Sequence, residues 1–325
     1  MRIFLAGATG IIGRRLVPKL AGRGHSVTGL VRRPAEAGWL QGLGAAAVMG
    51  DVFDAGGVRR AVRSAAPDVV MHQLTDLKGG NRQANSEMRK TGTRNLVDAA
   101  LAAGVRRVVA QSISWAYQAG DVPATEDVPL DLGASGSRLA TVQGVAALEA
   151  AVREAPEWVL LRYGILYGPG TWYSRGGLMA DQAARGELAA DRDVSSFVHV
   201  DDAAGAAADA LSWPTGFVNV CDDVPAAARE WVPRSAGPWG SRCRRLRAGS
   251  GTGGRGGRRT SWRGSHCTGR WPGRPGGRGS RRSRSYHRWD IFVPQWWLRR
   301  GLRWFPEQED HRPGDLAATL GVPES

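Results

Sequence analysis

Lysine is almost missing from this chain: Lys19, Lys78 and Lys90 are the only ones in 325 residues, and none follows position 90. Chemistry that needs an ε-amino group beyond that point is therefore excluded. Cysteine is scarce too. Cys221, Cys243 and Cys267 have neither metal-site spacing nor the even pairing of a disulfide framework, so no metal and no stapled secreted scaffold are expected. No apolar run approaches the ~20 residues that span a bilayer. The first residues lack the basic region and cleavage site of a secretory leader, and a cytoplasmic location without membrane contact is expected.

The net charge of +14 does not belong to the whole chain. Residues 1–230 carry 24 basic and 24 acidic side chains, and residues 231–325 carry the other 20 basic and 6 acidic ones. The basicity therefore says nothing about partners of the first 230 residues.

Those residues open on Ile3-Phe4-Leu5-Ala6, a short apolar run that reads as a buried parallel strand. It breaks into Gly7-Ala8-Thr9-Gly10-Ile11-Ile12-Gly13, and an amphipathic helix with Leu16, Val17 and Leu20 on one face follows. In a dinucleotide-binding turn, Gly7 permits the tight bend, Gly10 lets backbone approach a pyrophosphate, and Gly13 lets the helix pack close to the strand. The free N–H groups and positive dipole end of the helix then face the phosphates. An ordinary strand–turn–helix junction is the alternative. Position favours the dinucleotide reading, because the glycines sit between a strand and a helix.

A second strand, His25 to Val31, ends in Arg32-Arg33-Pro34, where the group meeting the adenine ribose belongs. Two arginines and no acid there point to NADP, with NAD as the alternative if both are merely solvated. A third strand, Ala45 to Met49, precedes Asp51, placed to accept from the adenine amino group, and Val52, placed against the ring. Asp54 is expected to cap the helix through Val58, Ala61 and Val62. Strand four, Asp68 to His72, delivers Gln73, Leu74 and Thr75 to its carboxyl end, where ligands of open α/β sheets bind. One long helix is expected over 84–103, then a fifth strand from Arg106 to Gln111 ending in Ser112, Ser114 and Tyr117. His72 and His199 read as structural histidines, and Asp201 and Asp202 as helix-start residues.

Taken in order, Gly-Ala-Thr-Gly-x-x-Gly at 7–13, Gly-Asp-x-x-Asp at 50–54 and Gly92-Thr93-x-Asn95-Leu96 resemble the extended short-chain dehydrogenase/reductases, the NAD(P)-dependent epimerase/dehydratase family. Leu161 to Gly170, Phe197 to Ala204 and Phe217 to Val220 look like that family's later motifs, so the resemblance covers about residues 1–225. It implies an α/β fold: a Rossmann-type doubly wound parallel sheet over 1–165 and a small, incomplete substrate subdomain over 166–230, interleaved with the sheet. It implies hydride transfer between nicotinamide and a carbonyl or carbinol carbon of a small aldehyde, ketone or nucleotide sugar. A homodimer is the assembly it leaves open.

The chain departs from the family at its chemistry. The family uses a tyrosine and a lysine four residues apart, plus a serine or threonine after strand five, to move the hydroxyl proton. Aligned through Glu149, the helix at 140–154 puts Thr141 and Val145 at those two places, and Ile113 falls where the serine or threonine belongs. No Tyr-x-x-x-Lys occurs anywhere. Arg89 stands where the family usually carries asparagine. Substitutes must come from the same cleft: Tyr117 as proton donor, Ser112 and Ser114 as holders of the substrate oxygen, Tyr163 at the cofactor, and Arg89 on an anionic substrate or the cofactor phosphates. For each, a packed or capping role competes. A non-catalytic protein that senses cofactor state is the alternative function.

Beyond Pro233 the composition turns to Arg, Gly, Ser, Pro and Trp, which cannot bury enough apolar surface to offset chain entropy. Residues 231–325 are thus expected to be a disordered, low-complexity tail, with apolar residues enough for one short helix between Ile291 and Trp304. Such a tail binds nucleic acid through phosphates and stacking, or else is out-of-frame translation of a G- and C-rich gene. The second reading is preferred, because the break falls inside the expected substrate subdomain.

Overall fold

A computed structural model describes residues 1–75 and 81–235. Of the tail expected to be disordered over 231–325, residues 231–235 are described and are helical, with Val232 buried; the rest, with its short helix, lies outside the described residues. At the centre stand seven parallel strands: β1 (Arg2–Ala6), β2 (Ser26–Val31), β3 (Ala46–Met49), β4 (Val69–His72), β5 (Arg107–Ile113), β6 (Glu157–Tyr163) and β10 (Gly216–Val220). Their spatial order is β10-β6-β5-β4-β1-β2-β3. The order reverses between β1 and β4, which makes the carboxyl ends of these two strands the crevice where such sheets take ligands.

Period-two alternation divides the apolar residues between two faces. Ile3 and Leu5 of β1 join a core with Leu16, Val17 and Leu20 of α1 (Gly13–Ala21), Leu40 of α2 (Pro34–Gly42) and the alanines of α8 (Val200–Asp209). Phe4 and Ala6 face the opposite core, with Val58 and Val62 of α3 (Ala55–Ala65), Leu96 and Val97 of α5 (Thr93–Ala102), and Leu148 and Val152 of α6 (Gly136–Val152). All of these side chains are buried; each large aliphatic one contributes about 1.5–3 kcal/mol by leaving water. Asp54 caps α3 as expected, accepting from the Gly57 amide at 2.9 Å.

Two elements differ from expectation. The helix expected over 84–103 is three pieces: α4 (Arg82–Glu87), a π-helical turn (Met88–Gly92) and α5. The π-turn widens the helix without disturbing its apolar pattern enough to be visible in sequence. Helix α2 was not anticipated, because Gly38 and Gly42 dilute its periodicity and Leu40 is its one buried side chain. Pro34 at its first turn is a fitting start, since its missing N–H would be unpaired there anyway.

After β6 the chain forms a parallel pair, β7 (Ile165–Tyr167) with β9 (Phe197–His199), and an antiparallel pair, β8 (Val194–Ser195) with β11 (Ala226–Ala227). α7 (Leu178–Ala184) packs on α9 (Ala228–Ser235), and Tyr173, Phe197 and Trp231 meet edge to face at 5.5–5.8 Å. No helix among the described residues is long and apolar enough to cross a membrane.

Candidate dinucleotide-binding cleft

The turn after β1 is built on close backbone approach. Gly7 has φ +92°, and a Cβ on it would lie 2.4 Å from the carbonyl oxygen of Gln73. A Cβ on Gly13 would lie 2.0 Å from the Gly7 carbonyl oxygen, so β1, the turn and α1 interlock only with hydrogen at both places. The Gly10 amide donates to the Gly7 carbonyl at 3.0 Å, closing the turn. Thr9 and Ile11 are half-buried; their carbonyls accept from Arg14 and Arg15 at 3.0 and 3.1 Å. Ile12 is buried at the N-cap of α1, and neither a capping side chain nor an acid occupies that first turn. The helix therefore presents uncapped donors and its positive end, a ready anion site.

At the far side of α1, Arg32 and Arg33 are both exposed. Arg33 is paired with Glu36, an acid three residues on that the sequence reading overlooked. Arg14 stacks over the Trp39 ring at 4.7 Å, bringing a third guanidinium to this end. The Asp51 carboxylate accepts from the Phe53 amide at 3.0 Å and is otherwise exposed. Val52 is buried, its side chain packed beside Gly92 in the core.

The carboxyl end of β4 gathers several buried polar groups. The His72 imidazole meets the Thr93 hydroxyl at 2.8 Å and accepts the Leu74 amide on Nδ1 at 3.2 Å. Those two bonds require the neutral ring with its proton on Nε2, and burial pushes its pKa down to about 4. His72 is a satisfied structural histidine, as read from the sequence. Next to it, Gln73 is buried with its side-chain amide beside the Tyr163 hydroxyl. Leu74 is half-buried, its carbonyl accepting from Gln111 at 2.7 Å, and Thr75 is exposed. Arg89, on the π-turn, is only 5 % exposed, and burial pushes its pKa down to about 10. No acidic side chain among the described residues offsets that burial.

The positions aligned with the family's proton relay are drier than that pattern implies. Thr141 is buried and donates to the Ser137 carbonyl of its own helix at 3.1 Å. Val145 packs with Ala116, Val142, Ile113 and Leu130 in a small apolar cluster. Ser112, near the carboxyl end of β5, donates to Glu149 at 2.7 Å. Ser114 is buried in the short 3₁₀ turn after β5, and its hydroxyl has no hydrogen bond among the described residues. The Tyr117 ring is fully buried, its hydroxyl donating to Asn219 at 2.7 Å and accepting from Arg162 at 3.0 Å. Tyr163 is buried and donates to the Ala203 carbonyl at 3.2 Å, with burial raising its pKa.

Arg162, Glu149 and Asn219 were not anticipated as a unit. Arg162 grips both carboxylate oxygens of Glu149 and also donates to the Glu126 carbonyl. Asn219 receives Tyr117, donates to the Ala124 carbonyl and gives its amide to the Glu126 carboxylate. Partners here are 13 to 102 residues apart in sequence, so no local pattern announced them.

Glycines that no side chain could replace and an uncapped helix start suit a dinucleotide held across the β1–β4 crevice. A sequence family described as NAD(P)H-binding matches residues 7–199. A Streptomyces 3-diazoavenalumate denitrifying reductase is 43 % identical over 249 residues, 73 % of this chain and 81 % of that protein. Among solved structures, Thermus thermophilus UDP-glucose 4-epimerase in complex with NAD is similar with a TM-score of 0.57 at 26 % identity, over 71 % of this chain and 80 % of that one. The Bordetella bronchiseptica enzyme WbmG, in complex with NAD and UDP, has the same fold, with a TM-score of 0.57 at 23 % identity over 71 % and 75 % of the two chains. The chain belongs to the NAD(P)H-binding family and has the fold of the extended short-chain dehydrogenase/reductases.

Proposed function

We propose that the protein is an NADPH-dependent reductase whose acceptor takes a hydride without taking a proton from the protein. One observation carries this reading: the two places of the family's proton relay hold Thr141, bonded to its own helix, and Val145, sealed in an apolar cluster. Such a surface serves a neutral or self-activated electrophile better than a ketone, whose oxygen must be protonated as hydride arrives. A diazo acid, the substrate class in the name of the Streptomyces relative, is that kind of acceptor. Reduced nicotinamide, when bound, supplies a hydride that replaces the carbon–nitrogen bond of an arenediazonium ion with carbon–hydrogen, releasing dinitrogen and leaving oxidised cofactor.

The chain's own residues bind and orient. The 7–13 turn and the start of α1 hold the pyrophosphate. Asp51 addresses the adenine, and Gln73, Leu74 and Thr75 flank the crevice. Arg32, free of acidic partners among the described residues, takes the ribose 2′-phosphate with Arg33 beside it, and Glu36 moderates Arg33 alone. Ser114 is the hydroxyl left to touch substrate, while Ser112, Tyr117 and Tyr163 serve the framework.

The test pairs NADPH carrying deuterium at its transferable position with three acceptors: a carboxylated arenediazonium salt, a benzaldehyde and a nucleotide sugar. Deuterium in the arene, at the carbon that bore nitrogen, is the expected result. Turnover of the aldehyde alone would overturn the acceptor class. Tight cofactor binding with no turnover of any acceptor would assign a cofactor sensor instead. NADPH binding tighter than NADH, with the difference lost in Arg32→Ala, checks the cofactor.

A further inference from the structure

We propose that Arg89 is the anion-binding residue of the crevice, a cation kept without a protein partner so that it pairs with the carboxylate or phosphate oxygens of a bound ligand. A guanidinium taken out of water costs several kcal/mol unless it is paired, and other buried arginines here obey that rule: Arg162 lies on Glu149. Arg89 does not, although it is 5 % exposed. Its surroundings explain how the conformation is held. The π-turn displaces it from the regular helical spiral, Met88 and Gly92 anchor that turn against Val52, and Thr93 ties it to His72. π-turns of this kind recur at functional sites.

Position points to a ligand rather than to strain. Arg89 precedes Thr93 by four residues, and Thr93 bonds His72 at the carboxyl end of β4, so this turn lies over the end of the strand where such sheets take ligands. The residue after that strand, Gln73, turns to the other face of the sheet toward Tyr163, while its backbone touches the Gly7 turn. A buried cation with no acidic partner among the described residues is complementary to an anionic oxygen cluster. Two sources present it: the cofactor pyrophosphate, or the carboxylate of an acidic substrate. The neutral ring of His72, fixed by Thr93 and Leu74, offers no charge to compete.

The inference rests on the crevice proposed above as the dinucleotide site, but it is tested by binding and stability, so failure of hydride transfer would leave it standing. Full-length wild type, Arg89→Met and Arg89→Lys are melted alone and titrated with ADP-ribose; then, saturated with NADP, they are titrated with benzoate and with benzamide. Without ligand, Arg89→Met should melt above wild type, since an uncompensated charge has been removed. Its affinity for one anion should fall about 10- to 100-fold, the loss expected for charge-assisted hydrogen bonds, and Arg89→Lys should retain part of it. A fall for ADP-ribose assigns the pyrophosphate. A fall for benzoate with benzamide unaffected assigns a substrate carboxylate. An Arg89→Met protein that melts lower or fails to fold, or that binds both anions as wild type does, overturns the proposal.

Discussion

Arg162 holds Glu149 by two parallel bonds of 2.9 and 2.8 Å, joining the carboxyl end of β6 to α6 with both side chains buried. Glu149 sits on the helix that also carries Thr141 and Val145, yet the pair fastens rather than reacts. Removing one partner strands the other charge, which typically costs about 3–5 kcal/mol, whereas replacing both by apolar residues of similar size is often neutral. Glu149→Leu and Arg162→Met should each lower the denaturation midpoint strongly, and the double variant should recover most of the loss. Additive losses would mean the pair is not a closed unit.

Tyr117 hangs on the same network. Tyr117→Phe should cost about 1–3 kcal/mol, because Asn219 and Arg162 each lose a buried partner. Turnover per folded molecule should stay at the wild-type value. A fall in kcat without a fall in stability would restore the phenol as proton donor.

Gly13 is the tightest place in the crevice. Gly13→Ala puts a methyl 2.0 Å from the Gly7 carbonyl, so α1 must shift from the turn. A loss of about 1–3 kcal/mol is expected from such overpacking, with at least ~10-fold weaker NADPH binding measured by fluorescence titration, since the phosphate donors move with the helix.

His72 makes the fold acid-sensitive. Its folded-state pKa of about 4 lies below the ordinary value of 6.5, so the unfolded chain takes up the proton first as pH falls. Stability from the neutral ring is complete above pH ~6.5 and is lost toward pH ~4, by about 3 kcal/mol in all. Asp222, whose carboxyl is lifted to about 6 by burial, changes in the opposite sense. The informative quantity is therefore the difference between wild type and His72→Asn across that range. Parallel stability curves for the two proteins would refute the assignment.

Much of the fold was legible because its signals are local. The apolar run of β1, the spaced glycines and the Asp54 cap each lie within a few residues, and each follows from backbone geometry. Arg89 was legible as a departure, although that it stands unpartnered emerges only from packing. What stayed hidden is long-range or aperiodic. Glu149, Arg162 and Asn219 meet from three elements, and Glu36 reaches back to Arg33 only once α2 has formed. The π-turn at Met88–Gly92 conceals itself, since one extra residue in a helix barely alters its apolar stripe.

The strand that completes the sheet, β10, comes from residues 216–220 and lies beside β6 from residues 157–163. During synthesis, β6 therefore leaves the ribosome more than fifty residues before its neighbour. Until Phe217, Val218 and Val220 arrive, the nascent chain carries an open, apolar strand edge that invites pairing with another chain. Translation that stops short of residue 216 would release a protein with its nucleotide turn already made and its sheet unsealed.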